Sequence, residues 1–171
     1  MERSRQLSER IGELLTTRGE TLAVAESSTG GLVGSLLTDI PGSSEYFDCS
    51  LVTYSNRAKR ELLGVNAETI STKGAVSVET AQEMALGVQK SAGTTWGLST
   101  TGVAGPGGGT EWNPVGTIVI GVANASGAET QVSAARYQFD GDRLENKRLF
   151  ASQALVDLQN ALTDDSTPQP E

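Results

Sequence analysis

A serine-rich turn directly behind a predicted buried strand is the first place in this chain where chemistry could occur. Residues 25–31 read Ala-Glu-Ser-Ser-Thr-Gly-Gly and follow the apolar run 21–24. Ser27 would therefore lie at the carboxyl end of a strand, beside the first amides of the next helix, which suits anion binding or acyl chemistry. The chain contains no histidine, so a serine nucleophile would need a lysine, a tyrosine or a carboxylate as its base.

Lys59 is the candidate for that base. If Asn56 caps the next helix, Lys59 lies on its first turn, near Tyr54 and at the same sheet edge as Ser27. Partial burial and the helix dipole would lower the pKa of the ammonium, so that the neutral amine can take the proton of Ser27. Tyr54 would relay that proton or orient the amine. The alternatives are a solvated helix lysine and a strand-end tyrosine whose hydroxyl faces water.

Polar residues end three successive predicted strands, at 27–31, 53–56 and 100–102. Each set alone is typical of a helix cap. Ligands bind beyond the carboxyl ends of parallel strands, however, so the three sets together predict one binding site. The candidate binding residues are Ser28, Thr29, Gly30, Gly31, Asn56, Thr101, Gly102, Gly105, Gly107 and Gly108.

The last four of these glycines belong to the glycine-rich segment 102–109, which lets a backbone approach a ligand closely and can form an anion nest. It matches neither the Walker pattern nor the dinucleotide fingerprint, because no Gly-Lys-Ser/Thr follows and it leads to a strand. A plain flexible loop is the alternative. Arg143, Lys147 and Arg148 could supply a cation to a phosphate, but the pattern favours a solvated helix face for each. For Glu26, a supporting role behind the site and an edge charge both remain open.

The elements that must position these residues follow from hydrophobic spacing and turn signals. Helices are predicted at 4–18, 30–38, 56–63 and 141–162, with a further helix capped by Ser77. Strands are predicted at 21–25, 47–54 and 95–101, and a hairpin joins strands 115–123 and 131–139. Because helices separate the first three strands, those strands should be parallel. We expect a three-layer α/β/α sandwich around a mixed, mostly parallel five-stranded sheet, as one domain over 1–163 with a disordered tail at 164–171.

Composition narrows the possible partners. The 171 residues carry 13 basic and 21 acidic side chains, a formal charge of −8. That charge argues against a nucleic acid partner, although it also fits a salt-adapted cytoplasm. With no histidine and a single cysteine we expect no metal site, and Cys49 should be a small buried hydrophobe. The charged amino terminus and the lack of an apolar run of about 20 residues predict a cytoplasmic protein without membrane association.

Five segments resemble one known family, the CinA carboxy-terminal domain: 25–31, 52–59, 74–77, 101–108 and 114–117. Its enzymatic members are nicotinamide-nucleotide amidases of the PncC type. The resemblance implies hydrolysis of nicotinamide mononucleotide to nicotinate mononucleotide and ammonia, in pyridine nucleotide salvage, without a metal or organic cofactor. It places the family's serine, tyrosine and lysine on Ser27, Tyr54 and Lys59. It also implies a three-layer α/β/α fold, a small pyridine nucleotide as ligand and a homo-oligomer.

Two positions depart from the family pattern. Ser28 stands where the family often has cysteine, and Asn113 where it often has the lysine before Pro-Val-Gly-Thr. Some CinA proteins carry this domain behind a larger amino-terminal domain, whereas Met1 here begins almost at the domain, so we expect a free-standing unit.

Two other functions remain open on the residues. One is a non-catalytic nucleotide-binding module, in which Ser27 is a cap and Lys59 a phosphate contact. The other is a phosphotransferase that uses the glycine loop, although no carboxylate pair for magnesium lies beside that loop.

Overall fold

One mixed sheet of five strands organises the chain, and a computed structural model describes it over residues 2–165. The helices are α1 (Glu2–Arg18), α2 (Leu32–Thr38), α3 (Asn56–Leu63), α4 (Ala67–Lys73), α5 (Val78–Ala92) and α6 (Arg143–Asp165). The strands are β1 (Leu22–Glu26), β2 (Phe47–Val52), β3 (Trp96–Gly102), β4 (Thr117–Asn124) and β5 (Gln131–Gln138). A short 3₁₀ turn at Ser43–Glu45 leads into β2.

The sheet order is β2-β1-β3-β4-β5. β1 pairs in parallel with both β2 and β3, whereas β4 and β5 are antiparallel to their neighbours. The three parallel strands therefore end at one edge of the sheet, where Glu26 lies opposite Val52 on one side and Thr100 on the other. This confirms the predicted α/β class and the mixed five-stranded sheet.

Alternate residues of β1 face two different cores. Leu22 and Val24 belong to the larger core, which packs the sheet against α1, α2 and α6. Ala23 and Ala25 belong to the smaller core, which packs it against α5 and the end of α3. Because successive side chains of a strand point to opposite faces, β1 contacts both cores, and the sheet is the middle layer of a three-layer sandwich.

Helix α5 lies close against the sheet because glycines replace larger side chains at the contact. A Cβ added to Gly97 would lie 2.2 Å from the carbonyl oxygen of Ala85, and one added to Gly121 would lie 2.4 Å from that of Ala81. Neither distance is possible for a real side chain, so both positions require glycine for this packing.

Several predicted boundaries are wrong in detail. Helix α4 was not expected, and α2 begins at Leu32 because the preceding residues form the turn. The side chain of Ser55, and not that of Asn56, caps α3 by accepting a hydrogen bond of 3.0 Å from the Ala58 amide. Helix α6 continues to Asp165, which removes residues 164 and 165 from the predicted tail. The rest of that tail, 166–171, lies outside the described residues.

Three expectations from composition can be compared with the structure. Cys49 is half-buried, packs against the smaller core and makes no disulfide, and burial raises the pKa of its thiol. Over residues 2–165 no helix has the length and apolar character needed to cross a bilayer. The same residues contain no group of three or more histidine, cysteine or acidic side chains that could hold a metal ion.

Candidate active site

The turn between β1 and α2 is held from behind by the carboxylate of Glu26, which is fully buried. It accepts five hydrogen bonds of 2.7–3.1 Å, from the amides of Gly31, Val33 and Gly34 and the hydroxyls of Thr29 and Ser50. Gly31 supplies no side-chain cap to α2, so Glu26 satisfies the free amides at the start of that helix. Of the two roles left open for Glu26, the structure shows the supporting one.

Ser27 is the next residue, and its amide extends the β1–β3 ladder by one bond of 3.1 Å to the carbonyl of Thr100. Its side chain points to Lys59: the Nζ atom of Lys59 donates to Ser27 Oγ at 3.0 Å. The same amine donates to the carbonyl oxygens of Thr53 at 3.0 Å and Tyr54 at 3.4 Å. The predicted meeting of Ser27 and Lys59 at the rim of the sheet is therefore present.

Lys59 is 2% exposed, and its three hydrogen-bond partners are all uncharged. Burial lowers the pKa of its ammonium from 10.5 to about 8. At neutral pH about a tenth of the molecules then carry a neutral amine, against well under a thousandth for an unperturbed lysine. Lys59 thus has the position and the pKa that a base for Ser27 would need.

A cleft of about 260 Å³ opens beside this pair. Ten of the predicted site residues line it: Ser27, Ser28, Tyr54, Asn56, Lys59, Thr101, Gly102, Gly105, Gly107 and Gly108. Ala75, Val76 and Arg143 also line it, and sequence reasoning did not select them as site residues. The hydroxyl of Thr101 donates to the carbonyl of Ala75 at 2.7 Å and so holds the 74–77 segment against the sheet.

Three predicted binding residues, Thr29, Gly30 and Gly31, do not line the cleft. Thr29 Oγ1 bonds to Glu26 at 2.7 Å and to Thr100 Oγ1 at 2.8 Å, and the Gly31 amide also bonds to Glu26. Gly30 and Gly31 have φ values of 62° and 98°, a region that favours glycine. These residues form the turn that presents Ser27, and the hydroxyl of Thr29 and the amides of Gly30 and Gly31 are occupied within that turn.

The backbone amides near Ser27 offer donors for an anion. The Gly30 amide is occupied, because it donates to the carbonyl of Ser27 at 3.0 Å. The amides of Ser28 and Thr29 have no acceptor within residues 2–165. Of the three amides from Ser28 to Gly30, the first two are therefore available to an anion.

Tyr54 is placed differently from the proton relay that the sequence suggested. Its side chain is 59% exposed, and its hydroxyl accepts a hydrogen bond of 3.2 Å from Nη2 of Arg143. Among the described hydrogen bonds, only its carbonyl contacts Lys59. Arg143 also donates from Nη1 to the carbonyl of Gly105 at 2.5 Å. Arg143 is exposed, as the sequence suggested, but its side chain also lines the cleft, which the favoured solvated helix face did not include.

Asn113, where the family often has lysine, supports the cleft from outside. Its side-chain amide donates to the carbonyl of Val76 at 3.1 Å, and its oxygen accepts from Arg136 at 2.7 Å. Because Val76 lines the cleft, Asn113 fixes the position of one wall.

Comparison with known proteins places this geometry in a family. The model of the CinA C-terminal domain matches residues 4–162. A CinA-like protein of Desulfosudis oleivorans is 52% identical over 156 residues, 91% of this chain and 37% of the relative. One of Chloroherpeton thalassium is 54% identical over 149 residues, 87% of this chain and 36% of the relative. The chain thus spans just over a third of the length of these relatives.

Solved structures agree with the fold. A CinA superfamily protein of Klebsiella pneumoniae has a TM-score of 0.88 at 32% identity, covering 94% of this chain and 98% of its own. The competence/damage inducible protein CihA of Agrobacterium tumefaciens has a TM-score of 0.87 at 38% identity, and the match covers 94% of this chain and 96% of that protein. The chain, with its buried lysine and serine at the rim of a mixed sheet, belongs to the CinA C-terminal domain family.

Proposed function

We propose that this protein is an amidase that hydrolyses nicotinamide mononucleotide to nicotinate mononucleotide and ammonia. The observation that carries the proposal is the 3.0 Å contact between Lys59 Nζ and Ser27 Oγ beside an open cleft, with a lysine pKa of about 8. A serine with an adjacent base is the arrangement of a covalent acyl-transfer enzyme. The choice of a pyridine nucleotide rests on the motif resemblance to the amidase members of the family.

In the first step the neutral amine of Lys59 takes the proton of Ser27 while Oγ attacks the carboxamide carbon. The carbonyl electron pair moves to oxygen, and the free amides of Ser28 and Thr29 are the donors available to that oxyanion. Loss of one such donor typically lowers the rate by about 10²–10³. As the C–N bond breaks, the Lys59 ammonium gives its proton to the leaving nitrogen, and ammonia departs.

The second step regenerates the enzyme. Water attacks the ester carbon, and its proton passes to Lys59 as the new C–O bond forms. The ester bond to Ser27 then breaks, and the ammonium returns a proton to Oγ as the acid is released. Tyr54 contributes its carbonyl to the position of the amine. The scheme needs no metal and no organic cofactor, and we further propose that the enzyme acts as a cytoplasmic homo-oligomer.

The test is ammonia release from nicotinamide mononucleotide, nicotinamide riboside and nicotinamide. Ser27→Ala and Lys59→Met should each lower the rate by at least about 10³ while the circular dichroism spectrum stays native. Ser8→Ala is the matched control, because Ser8 is also buried but lies in α1 and does not line the cleft. Normal turnover by Ser27→Ala would refute the nucleophile. Nucleotide binding without ammonia release would instead support the non-catalytic module.

A further inference from the structure

Arg143 is the one cleft residue besides Lys59 that carries a full charge in the described part of the chain. It is the first residue of α6, and its side chain reaches the glycine loop and the β2–α3 turn. Nη1 is anchored on the carbonyl of Gly105, while the one described hydrogen bond of Nη2 goes to the exposed hydroxyl of Tyr54 at 3.2 Å. One edge of the guanidinium is thus fixed to the protein, and the other faces a partner that can move away.

The charge of Arg143 is not paired. No carboxylate lies within ion-pair distance of it over residues 2–165, although Asp142 and Glu145 are close in sequence. Both acids are used to cap α6: Asp142 Oδ1 accepts from the amides of Leu144 and Glu145, each at 2.9 Å, and Glu145 Oε2 accepts from the Asp142 amide at 3.0 Å. This reciprocal capping leaves neither carboxylate on the guanidinium.

The position also opposes helix stability, because a cation at a helix amino terminus meets the positive end of the dipole. An oxyanion beside Arg143 would remove that conflict and pair the free charge. A guanidinium binds phosphate through two parallel N–H donors, which an ammonium cannot do. The other cleft cation, Lys59, is buried and occupied by Ser27 and two carbonyls.

We propose that Arg143 binds the phosphate of the ligand and thereby selects phosphorylated over unphosphorylated pyridine compounds. This inference rests on the proposed function for the identity of the ligand. When phosphate binds, Nη1 keeps its bond to Gly105, while Nη2 leaves the Tyr54 hydroxyl and donates together with Nε, as a parallel pair, to two phosphate oxygens. The Gly105–Gly108 loop and the guanidinium then hold the phosphate end, and Ser27 meets the carboxamide end.

Isothermal titration calorimetry with nicotinate mononucleotide and nicotinate riboside tests this without any catalytic step. The wild type should bind the mononucleotide at least about tenfold more tightly than the riboside. Arg143→Gln should weaken mononucleotide binding by about 10- to 100-fold, the usual range for a lost charged hydrogen bond, and leave riboside binding within about twofold. Arg143→Lys keeps the positive charge but lacks the two parallel donors of the guanidinium, so mononucleotide binding should weaken less, by about 3- to 10-fold.

Arg148→Gln is the matched control, since it removes the same charge from the exposed surface of α6 outside the cleft. It should change neither affinity by more than about twofold. Equal weakening of mononucleotide and riboside by Arg143→Gln would show that Arg143 only holds the loops, and would overturn the inference. So would a wild type without preference for the phosphate. A protein that releases no ammonia but shows the predicted pattern would refute the amidase and leave this inference standing.

Discussion

Replacing Lys59 by methionine should remove activity and at the same time change how stability depends on pH. The folded-state pKa of about 8 lies below the unfolded value of 10.5, because burial disfavours the charged form. Below pH 8 the lysine is charged in both states, so the folded protein bears the full cost of burying the charge. Between pH 8 and 10.5 the unfolded state binds more protons, and stability rises with pH. The shift corresponds to about 3 kcal/mol in total.

The variant Lys59→Met has no charge to bury, and its side chain has a similar length. Removal of the amine leaves the carbonyls of Thr53 and Tyr54 without this donor, but that loss is the same at every pH. The difference in unfolding free energy, wild type minus variant, should therefore rise by about 2–3 kcal/mol between pH 7 and pH 10. Every other titrating group cancels in this difference.

Urea denaturation from pH 7 to pH 10 measures that difference, with the fluorescence of the buried Trp96 as the reporter. Lys90→Met is the control, because Lys90 is an exposed lysine in the last turn of α5. Its difference curve should stay flat within about 0.5 kcal/mol. A flat curve for Lys59→Met as well would refute the reasoning, since it would mean that folding does not desolvate this amine.

Three further results are expected. The kcat/KM for ammonia release should rise about tenfold from pH 7 to pH 9, as Lys59 loses its proton, and a profile flat over this range would contradict the assignment of the base. In urea denaturation, Glu26→Gln should lower the unfolding free energy by about 3 kcal/mol, because five donors converge on that carboxylate; a loss below about 1 kcal/mol would argue against its anchoring role. Ser28→Ala and Ser8→Ala each remove a buried hydroxyl without a partner among the described residues, so thermal unfolding should show stability unchanged or raised by up to about 1 kcal/mol. A clear loss of stability in either variant would contradict this and would mean that the hydroxyl has a hydrogen-bond partner.

The sequence predicted the fold class and the central pair because local signals and topology agree there. The apolar run before Ser27 forms β1. Ser77 caps α5 as expected, because its hydroxyl oxygen accepts a hydrogen bond of 3.1 Å from the Thr80 amide. Parallel strands separated by helices must end at one edge, which brings the residues after β1 and β2 together. To place Lys59 correctly, the sequence had only to predict where α3 begins. The predicted cap, Asn56, is one residue from the observed cap, Ser55, and this error does not move Lys59 away from Ser27.

The rest depended on contacts that periodicity does not encode. Helix α4 has no buried residue, so its sequence lacks the apolar stripe from which a helix could be predicted. The orientation of Tyr54 is set by Arg143, which lies 89 positions away in the sequence. The sequence offered Arg143 as a possible cation for a phosphate, but its Gly-Asp-Arg run at the start of α6 does not show that the side chain reaches the cleft.

The two faces of β1 explain why the pKa of Lys59 is low although a carboxylate lies next to Ser27 in the sequence. Glu26 directly precedes Ser27, and a carboxylate beside the lysine would stabilise the ammonium and raise its pKa. Successive side chains of a strand point to opposite faces, so Glu26 follows Leu22 and Val24 toward α2, while Ser27 follows Ala23 and Ala25 toward α3. The carboxylate is occupied by five donors on the side of α2, and over residues 2–165 the hydrogen bonds of Lys59 all go to neutral oxygens. A slip of one residue in the register of β1 would exchange the two side chains and place the carboxylate beside Lys59, so the low lysine pKa depends on the register of this strand.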